Sequence, residues 1–146
     1  MTTETAAPIP AEQLTDLVAN YALDKKAIDV VSLDLRGVSG IADTFLICSG
    51  NTDRQVKAIH DAIHFGLKKE HGTLPRRTEG AVEARWVLMD YFDIVVHILT
   101  PEAREFYRLE QLWGDAPRRV YEPGPDAPSP VGGAAEALRN DRRPPG

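Results

Sequence analysis

The residues with the types and spacing for chemistry fall into a few short groups. Ser49-Gly50 follows an apolar run and precedes Thr52, the form of turn with which nucleotide-transferring enzymes hold a phosphate. A helix starting there would favour an anion. That chemistry also needs two carboxylates on a neighbouring strand to hold a divalent metal, read as Asp-x-Asp or Asp-x-Glu. No two acidic residues in the chain stand two apart, and Asp90 and Asp93 straddle a turn instead. Ser49-Gly50 therefore reads as a plain strand-to-helix turn. His60 and His64 stand one helical turn apart, as in zinc proteases of the H-E-x-x-H type, but Asp61 replaces the longer Glu that must reach a metal-bound water. His71 and His97 offer no third ligand, and the pair reads as part of a solvated helix face. Cys48 has no adjacent Lys, Arg or His to activate it and reads as a buried structural thiol. His97, among Val95, Val96, Ile98 and Leu99, reads as a hydrogen-bonded strand histidine. No catalytic group, cofactor or metal site is expected.

What remains is a surface. The runs WVLMDY (86–91) and DIVVHIL (93–99) are separated by almost nothing and read as an antiparallel hairpin. Strand alternation puts Trp86, Leu88 and Asp90 on one face, and Val87, Met89 and Tyr91 on the other. On the next strand Asp93, Val95 and His97 oppose Ile94, Val96 and Ile98. One face is purely apolar and suits a helix-covered core. The other mixes Trp, Leu, Val and His with two Asp, which suits a protein interface.

The elements that must position these residues read in order. A helix is predicted over 10–26, with Leu14, Leu17, Val18 and Tyr21 at helical spacing, and a strand over 27–35. A turn at 36–40 leads to a second strand at 43–49. Thr52 and Gln55 form a capping box for the clearest helix, 52–71, with Val56, Ile59, Ile63 and Leu67 as its apolar stripe and Gly72 as its stop. A polar loop (73–84) precedes the hairpin. Thr100 and Pro101 open a last helix that ends near Trp113 and carries Phe106, Leu109 and Leu112 inward. The pattern is α/β: one domain with a mixed β-sheet and covering helices, one sheet face partly open. Its expected limits are 10–114, between a flexible N-terminus (1–9) and a disordered tail (115–146) holding seven of the 11 prolines. AAEALR (134–139) is too short for a stable helix of its own.

The chain has 146 residues, 42% of them hydrophobic and 27% charged, enough for a real core. Its net charge of -5 disfavours direct binding to DNA or RNA, which needs clustered Lys and Arg, and fits a basic protein partner better. A single cysteine gives no support to an oxidising compartment. No apolar run approaches the ~20 residues that span a bilayer, so no membrane association is expected. The opening MTTETAAPIPAE lacks Lys and Arg and reads as no leader, which makes the cytoplasm the expected location.

Several motifs agree at once in order and spacing: KAIDVVSLDLRGVSGIADTFLICSG (26–50), RQVKAI (54–59), EG (79–80), WVLMDYFDIVVHIL (86–99) and FYRLEQLW (106–113). Together, from about Leu23 to Trp113, they resemble the Iojap family, the ribosomal silencing factors. The resemblance implies a nucleotidyltransferase-like fold without catalytic carboxylates, and a homodimer when free. It also implies binding to the universal large-subunit ribosomal protein fourteen, where a bound factor sterically blocks joining of the small subunit and represses translation when nutrients are scarce. The contacts it implies are Trp86, Leu88 and Asp90, with Tyr91 at the hairpin turn and Tyr107 near the last helix. Two departures stand out. Phe92 occupies the turn position where the family usually has Gly, and the Pro-rich tail lies beyond the matched motifs. The competing readings are a nucleotide-dependent transferase holding phosphate at Ser49-Gly50, and a binding module for some other basic protein.

Overall fold

The structure is a computed structural model that describes residues 9–37, 42–112 and 114–122. In chain order the elements are α1 (Ala11–Asp24), β1 (Ile28–Asp34), β2 (Thr44–Ser49), α2 (Asp53–His71), β3 (Arg77–Glu79), β4 (Trp86–Asp90), β5 (Ile94–Leu99), α3 (Pro101–Tyr107), α4 (Leu109–Leu112) and β6 (Arg118–Tyr121). The strands form one six-stranded sheet in the order β3-β4-β5-β2-β1-β6. β2 and β5 are parallel, and all other neighbours are antiparallel, so the sheet is mixed as expected.

α2 shows how local sequence sets an element. Thr52 accepts a hydrogen bond from the Gln55 N–H, and the Gln55 side chain accepts one from Asn51 N–H, so donors left over at the helix start are satisfied. Gln55 also donates to the carbonyls of Lys25 and Lys26, which ties the end of α1 to the start of α2. Gly72 closes the helix in the left-handed region, its N–H donating to the Lys68 carbonyl. Val56, Ile59, Ile63 and Leu67 are fully buried. With Leu14, Val18 and Ala22 of α1 they cover one sheet face, against Leu46, Cys48, Val87, Met89, Ile94, Val96 and Ile98. Alternation had assigned the hairpin's apolar face to this core.

Four expectations are corrected. The loop at 73–84 contains β3, a three-residue edge strand whose own polar sequence carries no signal; its pairing with β4 defines it. The last helix is two, because Arg108 takes a left-handed conformation (φ 50°) after Tyr107 and breaks the axis. Phe106, expected inward, is 77% exposed. The order of the fold also continues past residue 114. β6 pairs along β1, Asp34 N–H donates to the Pro117 carbonyl, and the Tyr121 hydroxyl donates to Asp16 on α1. The tail read as disordered therefore begins with a strand; residues 123–146, AAEALR included, lie outside the described residues. At the other end Ile9 packs against the helix-covered core, and 1–8 lie outside the described residues.

Candidate functional site

Strand register fixes what shares the second sheet face. Val31 of β1, Ile47 of β2, His97 of β5 and Leu88 of β4 align in one row. Leu33, Phe45, Val95 and Asp90 form the next. Much of this face is closed rather than open: Val31, Leu33, Phe45, Val95 and His97 are buried, with Leu35, Ala103 of α3 and Ala116 packed among them. The exposure lies at the β4 side. There Trp86 and Leu88 are half-buried at the margin of the cluster.

α3 brings two further rings to Trp86. The Tyr107 ring centroid lies 4.6 Å from that of Trp86, and Phe106 meets Tyr107 edge-on at 4.9 Å. Tyr107 is 50% exposed. The outcome is a three-ring cluster, Trp86–Tyr107–Phe106, partly open to solvent, the composition of an interface anchor. Thr100 holds α3 in place by accepting from Ala103 N–H, and Pro101 occupies the first helical position. Arg104 locks the helix to the sheet: it pairs with both carboxylate oxygens of Glu110 at 3.1 Å and donates to Ser49 Oγ at 3.0 Å. Gly80 also positions Trp86. It has φ +82°, and a Cβ there would collide with the Trp86 carbonyl, so only glycine fits.

Of the residues assigned to the surface, Trp86, Leu88 and Tyr107 stand on it or at its edge. Asp90 shares their face but is buried under arginines: Arg76 Nη2 donates to its Oδ2 at 2.9 Å, and Arg77 Nε lies 3.9 Å away. Its other oxygen accepts from Phe92 N–H at 2.9 Å. Burial raises the carboxyl, but that backbone donor and Arg76 and Arg77 outweigh it and hold the group below the usual carboxylate range. Asp90 thus holds the hairpin tip together. Tyr91 is not at the surface. It is 6% exposed and packs in the helix-covered core, the side strand alternation had given it, and burial pushes its hydroxyl upward.

Phe92 explains the departure at the turn. Its φ is 76°, and Asp93 N–H donates to the Tyr91 carbonyl at 3.0 Å, a γ-turn of the strained, positive-φ kind that glycine would enter freely. The ring is 61% exposed and carries the Arg76 guanidinium 4.1 Å above its centroid. That stacking and the Asp90 bond are what the strain is set against.

Ser49 and Cys48 are buried, the thiol as expected, whereas the His60–His64 pair is half-buried rather than on a solvated helix face, with the His60 side chain only 12% exposed. Ser49 is 1% exposed, and its hydroxyl is engaged by Arg104. Gly50 is packed so closely that a Cβ would lie 2.9 Å from Val56 N. The turn is close-packed against α2, and the cavity of about 400 Å³ beside Ser49 is lined by Arg104, Glu105 and Glu110. Cys48 is fully enclosed, and burial pushes its thiol up to about 12, which leaves no thiolate to react. The His60 and His64 rings stack 5.7 Å apart and His60 Nδ1 meets Asp61. Among the described residues no three His, Cys, Asp or Glu form a metal-holding group. His97 Nδ1 accepts the Trp86 indole N–H at 3.1 Å, a partner sequence alone did not name. The signal was there in principle, since the register makes the two residues diagonal neighbours within reach of aromatic side chains.

Fold and surface together define a single-domain mixed α/β protein whose second sheet face ends in a half-exposed aromatic cluster. Comparison with known proteins makes this specific. A family model described as "Ribosomal silencing factor during starvation" matches residues 8–143. The chain is 47% identical over 106 residues to the ribosomal silencing factor RsfS of Halalkalibacterium halodurans, covering 73% of this chain and 90% of that one. It is 50% identical over 94 residues to the protein of the same name from Bacillus subtilis, covering 64% and 79%. A solved structure of a protein from Chromobacterium violaceum superposes with a TM-score of 0.70 at 28% identity, covering 81% of this chain and 98% of that one. The chain belongs to the ribosomal silencing factor family.

Proposed function

We propose that this protein is a non-catalytic translation repressor that binds the large ribosomal subunit through universal large-subunit protein fourteen. A bound copy then occupies the surface the small subunit needs, and joining is blocked sterically. The observation that carries the reading is the Trp86–Tyr107–Phe106 cluster, continued along β4 by Leu88. Large aromatic anchors amid polar groups are what interface centres are made of. The net charge of -5 fits a basic partner. The Ser49-Gly50 turn, occupied by Arg104, offers the transferase reading little support. Among the described residues no helix is long and apolar enough to cross a membrane. Action in the cytoplasm and a homodimer in the free state belong to the same proposal.

The test measures folding and binding on one variant. Trp86→Ala should stay folded while its affinity for purified large subunits falls roughly 30-fold, from a hot-spot cost of ~2 kcal/mol at 1.4 kcal/mol per tenfold. Inhibition of subunit joining should weaken in parallel. A folded Trp86→Ala that binds like wild type would refute the placement of the surface.

A further inference from the structure

His97 sits in the middle of β5, enclosed by apolar neighbours, and only 3% of its surface is exposed. Ile47 and Leu88 flank it in its sheet row, and the Phe45 ring lies 4.6 Å from its own. A leucine would satisfy those neighbours. Histidine brings a cost instead. Accepting the Trp86 N–H at Nδ1 places the ring proton on Nε2, and Nε2 is buried without a partner among the described residues. An orphaned buried donor is unfavourable, so stability does not account for this residue. What histidine does, and leucine cannot, is hold the indole.

We propose that His97 is a positioning residue for the docking surface: from inside the sheet it fixes the Trp86 indole, and through Trp86 the Tyr107 and Phe106 rings that face solvent. The inference rests on the reading of Trp86, Leu88 and Tyr107 as partner contacts. The chain of contacts is continuous, from His97 Nδ1 to Trp86 Nε1, from Trp86 to Tyr107 at 4.6 Å, and from Tyr107 to Phe106 at 4.9 Å. Trp86 stands at the edge of the buried cluster, where an indole with no acceptor would be free to rotate toward water and leave Tyr107. Fixing it beforehand removes the ordering cost from the binding step. The acceptor is also permanent, because burial holds the His97 ring down to about 4 and its Nδ1 lone pair stays free at neutral pH.

The experiment compares His97→Leu, Trp86→Ala and the double variant, each measured for thermal unfolding and for affinity to purified large ribosomal subunits. His97→Leu should melt at or above the wild-type temperature, since the orphaned donor is gone, while its affinity falls about five- to tenfold. The Trp86 indole N–H resonance, assigned by its loss in Trp86→Ala, should shift in His97→Leu. In the Trp86→Ala background, His97→Leu should have no further effect on affinity, because its action passes through the indole. Wild-type affinity in a folded His97→Leu, with binding lost in Trp86→Ala, overturns the inference and leaves the surface standing. So does a His97→Leu chain that fails to fold, which assigns the residue to the core alone. Wild-type binding by Trp86→Ala overturns the surface, and the inference with it.

Discussion

The two faces of the sheet are built from the same strands and do different work. The face under α1 and α2 is lined mainly by apolar side chains, with every stripe residue of α2 fully buried and the Tyr91 hydroxyl and Ser32 as polar groups among them. The face under α3 mixes Phe45, Val95 and Leu99 with His97, Asp90 and Ser49, and each of these polar residues engages a neighbour: His97 the indole through Nδ1, Asp90 two arginines, Ser49 Arg104. One face is packed for stability. The other spends polar groups on orientation, at the edge where three aromatic rings reach solvent. The difference teaches that apolar packing carries the stable side of a small sheet, while on the recognising side polar residues are placed where they hold neighbouring side chains.

The contrast predicts where substitutions act, beginning with the largest effect. Ile63→Ala, on the helix-covered side, leaves a cavity in a fully buried site and should cost ~2–5 kcal/mol in denaturant unfolding. Affinity for large subunits should be unchanged under conditions where the variant is folded. Weakened binding there would mean the faces are coupled. Ending the chain at Gly114 removes β6 and exposes the β1 edge, so it should lose about 2 kcal/mol relative to a chain ended at Glu122. Equal melting temperatures for the two truncations would show that β6 contributes nothing.

Acid should act on the polar face first. Burial lowers His97 from 6.5 to about 4, so the unfolded chain binds its proton more readily than the fold does. Its contribution is fully present above pH 6.5 and is lost as pH falls toward 4, with a slope approaching 1.4 kcal/mol per pH unit. Asp90, held low in the fold, loses its contribution only at lower pH still, as the medium passes its depressed value. His64, also lowered by burial, keeps part of the decline in both chains, so the pH profile of His97→Leu should fall less steeply than wild type between 6.5 and 4, and a profile superimposable on wild type would contradict the assignment. The smallest effect is at the hairpin tip. Phe92→Gly relieves ~1–2 kcal/mol of positive-φ strain but loses ~0.5–1 kcal/mol from the Arg76 stacking and as much again in chain entropy. Its unfolding free energy should lie within about 0.5 kcal/mol of wild type.

How much of this was legible in the sequence follows from where the physics is local. α2 was legible because its cap, stripe and stop are all written within one segment. The hairpin faces were legible because alternation needs only a period of two. Alternation even placed Tyr91 in the core, against the resemblance that put it on the contact surface. β3 and β6 were not legible, since Arg77–Glu79 and Arg118–Tyr121 are strands only because β4 and β1 offer them edges. Nor was the break at Arg108, where a left-handed residue is not glycine and leaves no mark. At the site, Trp86 and Leu88 came from pattern and Tyr107 from resemblance. The exposure of Phe106 depended on how α3 seats on the sheet, and the His97–Trp86 bond on a register that only the folded hairpin sets.

The central claim is that the aromatic end of the α3 face, and not the helix-covered side, meets the large subunit. The most direct measurement places a photo-activated cross-linking side chain at Tyr107 in one chain and at Phe65, 57% exposed on α2, in another, and irradiates each with purified large subunits. The account predicts a cross-link from position 107 to universal large-subunit protein fourteen and none to it from position 65. A cross-link to that protein from position 65, with none from 107, would contradict it.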